Sequence, residues 1–90
     1  MYSIIYSPQA KDDLLALQRS EPAAFRKAAT LIEELKLHPR TGTGHPEPLS
    51  ADRAGMWSRR ISKKHRLVYE IFDAEVHVDV VSAYGHYGDK

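Results

Sequence analysis

The chain contains no cysteine, so neither disulfides nor thiolate chemistry can enter its structure or its function. No apolar run approaches the length of a membrane span. Residues Met1–Ala10 hold Ser3, Ser7, Pro8 and Gln9 instead of a basic start followed by an apolar stretch, so no secretion signal is expected and a cytoplasmic location is. A strong charge of one sign is also lacking. Thirteen Lys and Arg against 12 Asp and Glu leave a net charge of +1, less than expected of a protein that captures free nucleic acid by charge alone. No repeat or low-complexity segment interrupts the 90 residues, which suffice for one small domain, 1–90, with one core.

The charges that are present are unevenly placed. Residues 53–66 contain Arg53, Arg59, Arg60, Lys63, Lys64 and Arg66 and no carboxylate, whereas Asp12, Asp13, Glu21, Glu33 and Glu34 lie in the first half. A local basic surface is therefore expected without a global basic field.

Tyr2–Tyr6 is rich in β-branched and aromatic residues and predicts a short strand. Ser7-Pro8 is a helix start, with Asp12 and Asp13 suited to the positive end of the dipole. Ala10, Leu14 and Leu17, widened by Leu15, give that helix a stripe ending near Arg19. Ser20-Glu21-Pro22 starts a second helix, in which Phe25, Ala28, Ala29, Ile32 and Leu35 follow helical spacing until Pro39 ends it. Residues 39–54, with Pro39, Gly42, Gly44, Pro46 and Pro48, predict a long, stiff loop of the kind that often carries function. Met56–Ile61, His65–Phe72 and Val76–Tyr84 predict three strands. The order strand–helix–helix–strand–strand–strand implies an α+β domain, two helices on one face of a mostly antiparallel sheet.

Alternation assigns the faces. A two-residue loop at Asp73-Ala74 sets Phe72 opposite Glu75 and His77 opposite Glu70. Leu67, Tyr69 and Ile71 then share an apolar face with Val76, Val78 and Val80. Arg66, Val68, Glu70 and Phe72 share a polar face with Glu75, His77, Asp79 and Val81, open to solvent or a partner. A three-residue loop Ser62-Lys63-Lys64 sets Arg60 directly opposite Arg66 on that polar face. Like charges so placed destabilise a sheet, and a phosphate is one ligand that would reconcile them. Spreading into water, or pairing with Glu47 or Asp79, is the plainer explanation of two arginines. Trp57 and Arg59 point to the helix side, Trp57 as core and Arg59 in a structural ion pair. His65 reads as a turn or surface histidine, and Tyr84 as either packing or groove-lining. His38 and His45 have no metal-ligand spacing with any partner, so neither metal nor cofactor is expected.

Four runs carry a family resemblance. Gly44-His45-Pro46-Glu47-Pro48-Leu49 resembles the G-x-P-E-P-L loop of the YoeB/Txe toxins of the RelE superfamily, and Trp57-Ser58-Arg59-Arg60-Ile61 resembles their W-S-R-R-I strand. His65-Arg66-Leu67-Val68-Tyr69 resembles their H-R-L-V-Y strand, and Gly85-His86-Tyr87 their H-Y ending. The runs occur in the family's order at close to its spacing, although the approach to His86 is slightly longer, Gly85 precedes His86, and Gly88-Asp89-Lys90 extends past Tyr87. The resemblance implies a microbial-ribonuclease-like fold and cleavage of mRNA in the ribosomal A site, with contact to ribosomal RNA. It also implies silencing by a cognate YefM/Axe-like antitoxin whose acidic segment covers the groove, and a dimer. By the same resemblance Glu47 is the general base, Arg60 and Arg66 bind phosphate, His86 is the general acid and Tyr87 a further active-site residue. Base, acid and cations are what metal-free attack of a ribose 2′-hydroxyl on its neighbouring phosphate requires. The competing expectation is a non-catalytic partner-binding toxin of the same fold, such as a gyrase-directed ParE-like protein. The set Glu47, Arg60, Arg66, His86 and Tyr87 argues against it.

Overall fold

A computed structural model describes residues 1–85. Strand β1 (Ser3–Tyr6) leads into helices α1 (Pro8–Ser20) and α2 (Pro22–Leu35), followed by strands β2 (Glu47–Pro48), β3 (Met56–Arg60), β4 (Arg66–Phe72) and β5 (His77–Ser82). A short 3-10 helix, Ala51–Arg53, separates β2 from β3. The sheet order is β1-β5-β4-β3-β2. Among the described strands only β1 runs parallel to its neighbour, β5; the helix pair and the antiparallel strands β2–β4 lie between them in the chain.

Helix α1 starts as its sequence dictates. Ser7 Oγ accepts the Ala10 N–H at 3.0 Å, and Pro8 occupies the first turn. Asp13 does something other than complement the dipole. It is buried, takes a hydrogen bond from Gln9 Nε2 (2.7 Å) on one oxygen, and accepts the buried Ala83 N–H (2.9 Å) on the other, tying α1 to the chain just after β5. Glu21 alone separates the helices: its N–H closes α1 on Leu17 O (2.7 Å) and its carbonyl accepts Phe25 N–H to open α2 (3.0 Å).

The core lies between the helices and one sheet face. Ala10, Leu17, Ala28, Leu31, Ile32 and Leu35 pack against Leu67, Tyr69, Val78 and Val80. The buried stripe of α2 centres on Ala24, Ala28, Leu31 and Leu35, so the expected Ala29 is exposed, and Leu15 on α1 is 44% exposed instead of widening the core.

Two strand expectations are corrected. Glu47–Pro48, expected in a loop, is a two-residue edge strand, because Glu47 and Pro48 pair with Ser58 and Trp57. The last hairpin has a four-residue turn, with Phe72 opposite His77 and Glu70 opposite Asp79. Val76 leaves the strand, turning through a left-handed backbone (φ 53°) to donate to Asp73 O at 3.1 Å. From Tyr69 to Phe72 the slip is by two residues, so those faces survive; a slip by one would have inverted them, and a further one-residue shift between Val68 and Tyr69 sets Val68 opposite Ser82. The pairing of His77 does change. Its Nε2 lies 3.2 Å from Asp79 Oδ1, out of line for a hydrogen bond, and its ring packs 4.8 Å from that of Phe72.

Candidate active site

The polar sheet face is built from three strand ends. Arg60 and Arg66 are directly opposed across β3 and β4, as the loop length between them requires. Glu47 is opposite Ser58, and Ser58 precedes Arg60 by two residues, so alternation puts Glu47, Arg60 and Arg66 on one face. Glu47 and Arg60 are exposed and Arg66 is half-buried. The centre of the face is closed, contrary to the expectation of an open polar surface: Ser58 and Val68 are 2% and 1% exposed. Leu49, whose N–H reaches Met56 O (2.8 Å), is buried beside β3 without joining the helix-side core. His86 and Tyr87 lie outside the described residues.

Two arginines directly opposed on neighbouring strands need a reason to remain so. Arg66 finds part of it by bending back over the hairpin: its Nη1 donates to Ser62 O (2.8 Å) and His65 O (3.3 Å). Arg60 stays exposed. The pair therefore combines one anchored cation and one exposed cation, an arrangement that fits a phosphate bound by forked donors.

Arg59 faces the other way, as alternation predicts, and fixes the loop that brings Glu47 to the site. Its side chain is wholly buried. Nε donates to Tyr69 Oη (3.1 Å), and Nη1 to Glu34 Oε1 (2.8 Å) and Thr43 O (3.3 Å). Nη2 donates to Thr41 O (2.7 Å) and His38 O. Tyr69 passes the chain on to Pro39 O (2.8 Å), and burial pushes its phenol pKa up. Glu34 accepts Thr43 Oγ1 (2.6 Å) and Thr43 N–H (2.9 Å); these bonds first, and Arg59 next, hold its carboxyl below the ordinary value. Four carbonyl or hydroxyl groups between residues 38 and 43 thus converge on one arginine–glutamate pair. Gly44 then passes so close to β3 that Arg60 N–H reaches its carbonyl at 2.7 Å. A Cβ there would stand 3.0 Å from Arg60 O, and the backbone is left-handed (φ +86°), so glycine is required twice over.

His65, expected at the surface, is 2% exposed. Its Nε2 is 2.8 Å from Glu21 Oε2, its Nδ1 accepts the Gly85 N–H at 2.8 Å, and its ring lies 4.4 Å from that of Tyr84. Nothing local signals this, because Glu21 is 44 residues away. Trp57 is half-buried against the helix-side core, as expected.

Residues 6–87 match the family model of YoeB-like toxins of bacterial type II toxin–antitoxin systems. The chain belongs to this family. It is 41% identical over 76 residues to the toxin YoeB of Mycobacterium bovis, covering 84% of this chain and 89% of that one. A solved YoeB/ParE toxin from Agrobacterium tumefaciens superposes with a TM-score of 0.88 at 35% identity, over 94% of this chain and 99% of the other. YoeB of Staphylococcus aureus, solved in a YoeB-YefM complex, gives a TM-score of 0.82 at 33% identity, covering 97% and 99%. Solved as a dimer, it gives 0.82 at 32% identity, covering 96% and 98%. The α+β fold expected from the sequence is thus the fold of this family.

Proposed function

We propose that this toxin is a metal-independent mRNA endonuclease that works on the ribosome. The observation that carries the reading is the convergence of Glu47, Arg60 and Arg66 on one sheet face, from three strands, with the strand that bears the carboxylate entered from a loop braced by Arg59. In this reading Glu47 takes the proton from a ribose 2′-hydroxyl, and the freed oxygen attacks the adjacent phosphorus. Arg60 and Arg66 stabilise the charge that gathers on the phosphorane. His86, with Tyr87 beside it in sequence, protonates the leaving 5′-oxygen. A net charge of +1 supplies little steering, so orientation of the mRNA falls to the ribosome.

The same face suits an antitoxin. An acidic segment that orders on binding would cover Arg60 and Arg66 and stop the chemistry by occupying the phosphate position. The related S. aureus toxin was solved both with YefM and as a dimer, and we extend a YefM-like partner and a homodimer to this chain. Bacterial cytoplasm, where mRNA is translated, is the compartment this activity requires.

Primer extension on mRNA translated with the purified chain tests the reading. Cleavage within the reading frame is expected on ribosomes, with little on naked RNA. Glu47→Ala, Arg66→Ala and His86→Ala should each slow single-turnover cleavage by roughly a hundredfold or more. Wild-type cleavage by the triple variant, or brisk ribosome-free cleavage dependent on added magnesium, would overturn it. Gyrase inhibition without RNA cleavage would favour the ParE-like alternative.

A further inference from the structure

We propose that His65 is a positioning residue for the reaction: held by Glu21, its imidazole clamps the Gly85 amide and so sets the point from which the chain enters His86. The proposal rests on the endonuclease reading, in which His86 supplies the acid.

A backbone N–H can only donate. The 2.8 Å bond from Gly85 N–H therefore requires a lone pair on Nδ1, and the ring proton sits on Nε2, where it is donated to Glu21 Oε2 at 2.8 Å. Glu21 is itself fixed, since it is the single residue joining α1 and α2 and its backbone closes one helix and opens the next. The carboxylate thus sets both the tautomer and the orientation of the ring. Lys64 Nζ, 3.6 Å from the same Glu21 oxygen, is largely exposed and adds little. The residue after His65 completes the clamp: Arg66 N–H donates to Gly85 O at 2.9 Å. Both polar groups of Gly85 are taken by residues 65 and 66, at a left-handed backbone turn (φ +81°) one peptide bond before His86. Tyr84, the residue before Gly85, packs its ring 4.4 Å from the imidazole.

Packing alone does not call for this residue. An imidazole with 2% exposure carries a desolvation cost that an apolar side chain would avoid. What the histidine adds is an acceptor of fixed direction, beside the arginine that binds phosphate. The clamp therefore joins two components of the site, since Arg66 contributes its guanidinium to the phosphate position and its amide to the anchoring of Gly85. General-acid transfer depends steeply on placement, and a displacement of about 1 Å can cost on the order of a hundredfold in rate.

Two substitutions separate the ring's two bonds. His65→Asn keeps an acceptor where Nδ1 stands and gives up the link to Glu21. His65→Gln keeps a donor toward Glu21 and gives up the acceptor for Gly85. Both lose similar packing, so their thermal midpoints should fall alike, whereas single-turnover cleavage on ribosomes should fall roughly tenfold or more in His65→Gln and only a few-fold in His65→Asn. In the isolated toxin, ¹⁵N NMR should show a coupling across the hydrogen bond between Gly85 N and His65 Nδ1. Equal losses of cleavage in the two variants would overturn the proposal, because they would mark a merely structural histidine. Absence of the coupling in a wild-type toxin that cleaves mRNA would overturn it while leaving the endonuclease reading intact. A wild-type toxin that shows the coupling and cleaves nothing would overturn the endonuclease reading, and the positioning role with it.

Discussion

The strongest structural prediction concerns Arg59, a residue on the face away from the proposed chemistry. It is wholly buried and its guanidinium donates five hydrogen bonds, to Tyr69, Glu34, Thr43, Thr41 and His38. Truncating one partner of a buried pair typically costs about 3–5 kcal/mol, much of it from the groups left without a donor. Glu34 retains 29% side-chain exposure, so water can reach it once the arginine is gone. Arg59→Met, which keeps the length and removes the charge, is therefore placed at the low end, about 3 kcal/mol. Arg59→Lys keeps the charge but cannot reach five acceptors with one ammonium group, and about 2 kcal/mol of destabilisation is expected from the unsatisfied carbonyls. Urea unfolding measures both against Arg60→Met on the exposed end of the same strand, for which less than about 0.5 kcal/mol is expected. Hydrogen exchange adds a local readout. The amides of Thr43 and Arg60, which bond to Glu34 and Gly44 O, should lose protection in Arg59→Lys before the amides of β4 do. An Arg59→Lys variant as stable as wild type, with those amides still protected, would refute the bracing role of this arginine.

Other substitutions probe other parts of the fold. Ile32, 5% exposed on α2, cannot accept a carboxylate, so Ile32→Asp should leave no folded protein by circular dichroism at ambient temperature; an unchanged thermal midpoint would contradict the packing of α2 on the sheet. Val76 is 45% exposed and held at φ 53°, so Val76→Gly should stabilise the protein by about 1 kcal/mol in urea titrations, and a destabilised variant would argue against the left-handed turn. Glu34 is held below its ordinary pKa of 4.5, first by Thr43 and then by Arg59. As pH falls past 4.5 the unfolded chain takes up its proton before the folded one does, so stability is full above that value and declines through the lower folded pKa. Glu34→Gln should be less stable at neutral pH yet show a shallower acid decline, and an identical slope would contradict the assignment.

How much of this was legible in the sequence depends on whether the deciding partner is near in the chain. Arg60 opposite Arg66 follows from a loop of three residues, and the inward direction of Arg59 from simple alternation. The role of His65 was hidden because its partners, Glu21 and Gly85, are 44 and 20 residues away, and a histidine at a strand start carries no local sign of burial. Strand β2 was hidden for a similar reason. Two residues, one of them proline, have no periodicity, and they become a strand only because residues 38–43 are gathered around Arg59 and Gly44 is drawn against Arg60. The β5 hairpin was misjudged because Val76 is a strand-forming residue by composition, yet it occupies a turn position. The placement of Glu47 with Arg60 and Arg66 is different in kind. Alternation puts the arginines together, but only the resemblance of residues 44–49 to a family loop brought the glutamate to the same place.

On the endonuclease reading, the charge layout of the polar face accounts for phosphate chemistry in a protein with a net charge of +1. Across β3 and β4 the opposed pair is Arg60 and Arg66; further along, across β4 and β5, it is Glu70 and Asp79, the latter 3.2 Å from His77. Each pair sets like charges against each other and costs the sheet stability. Neither is compensated by the other, because Arg66 and Glu70 stand four residues apart along β4, about 13 Å at the usual strand rise. Summed over the chain the two pairs nearly cancel, but at the scale of a Debye length, about 8 Å in physiological salt, they do not. A polyanion on this face would be drawn to the arginine end and turned away from the carboxylate end. On the endonuclease reading that gives a bound strand one favoured placement over the Glu47 side of the sheet, without the general basicity that would hold the toxin on every RNA it met.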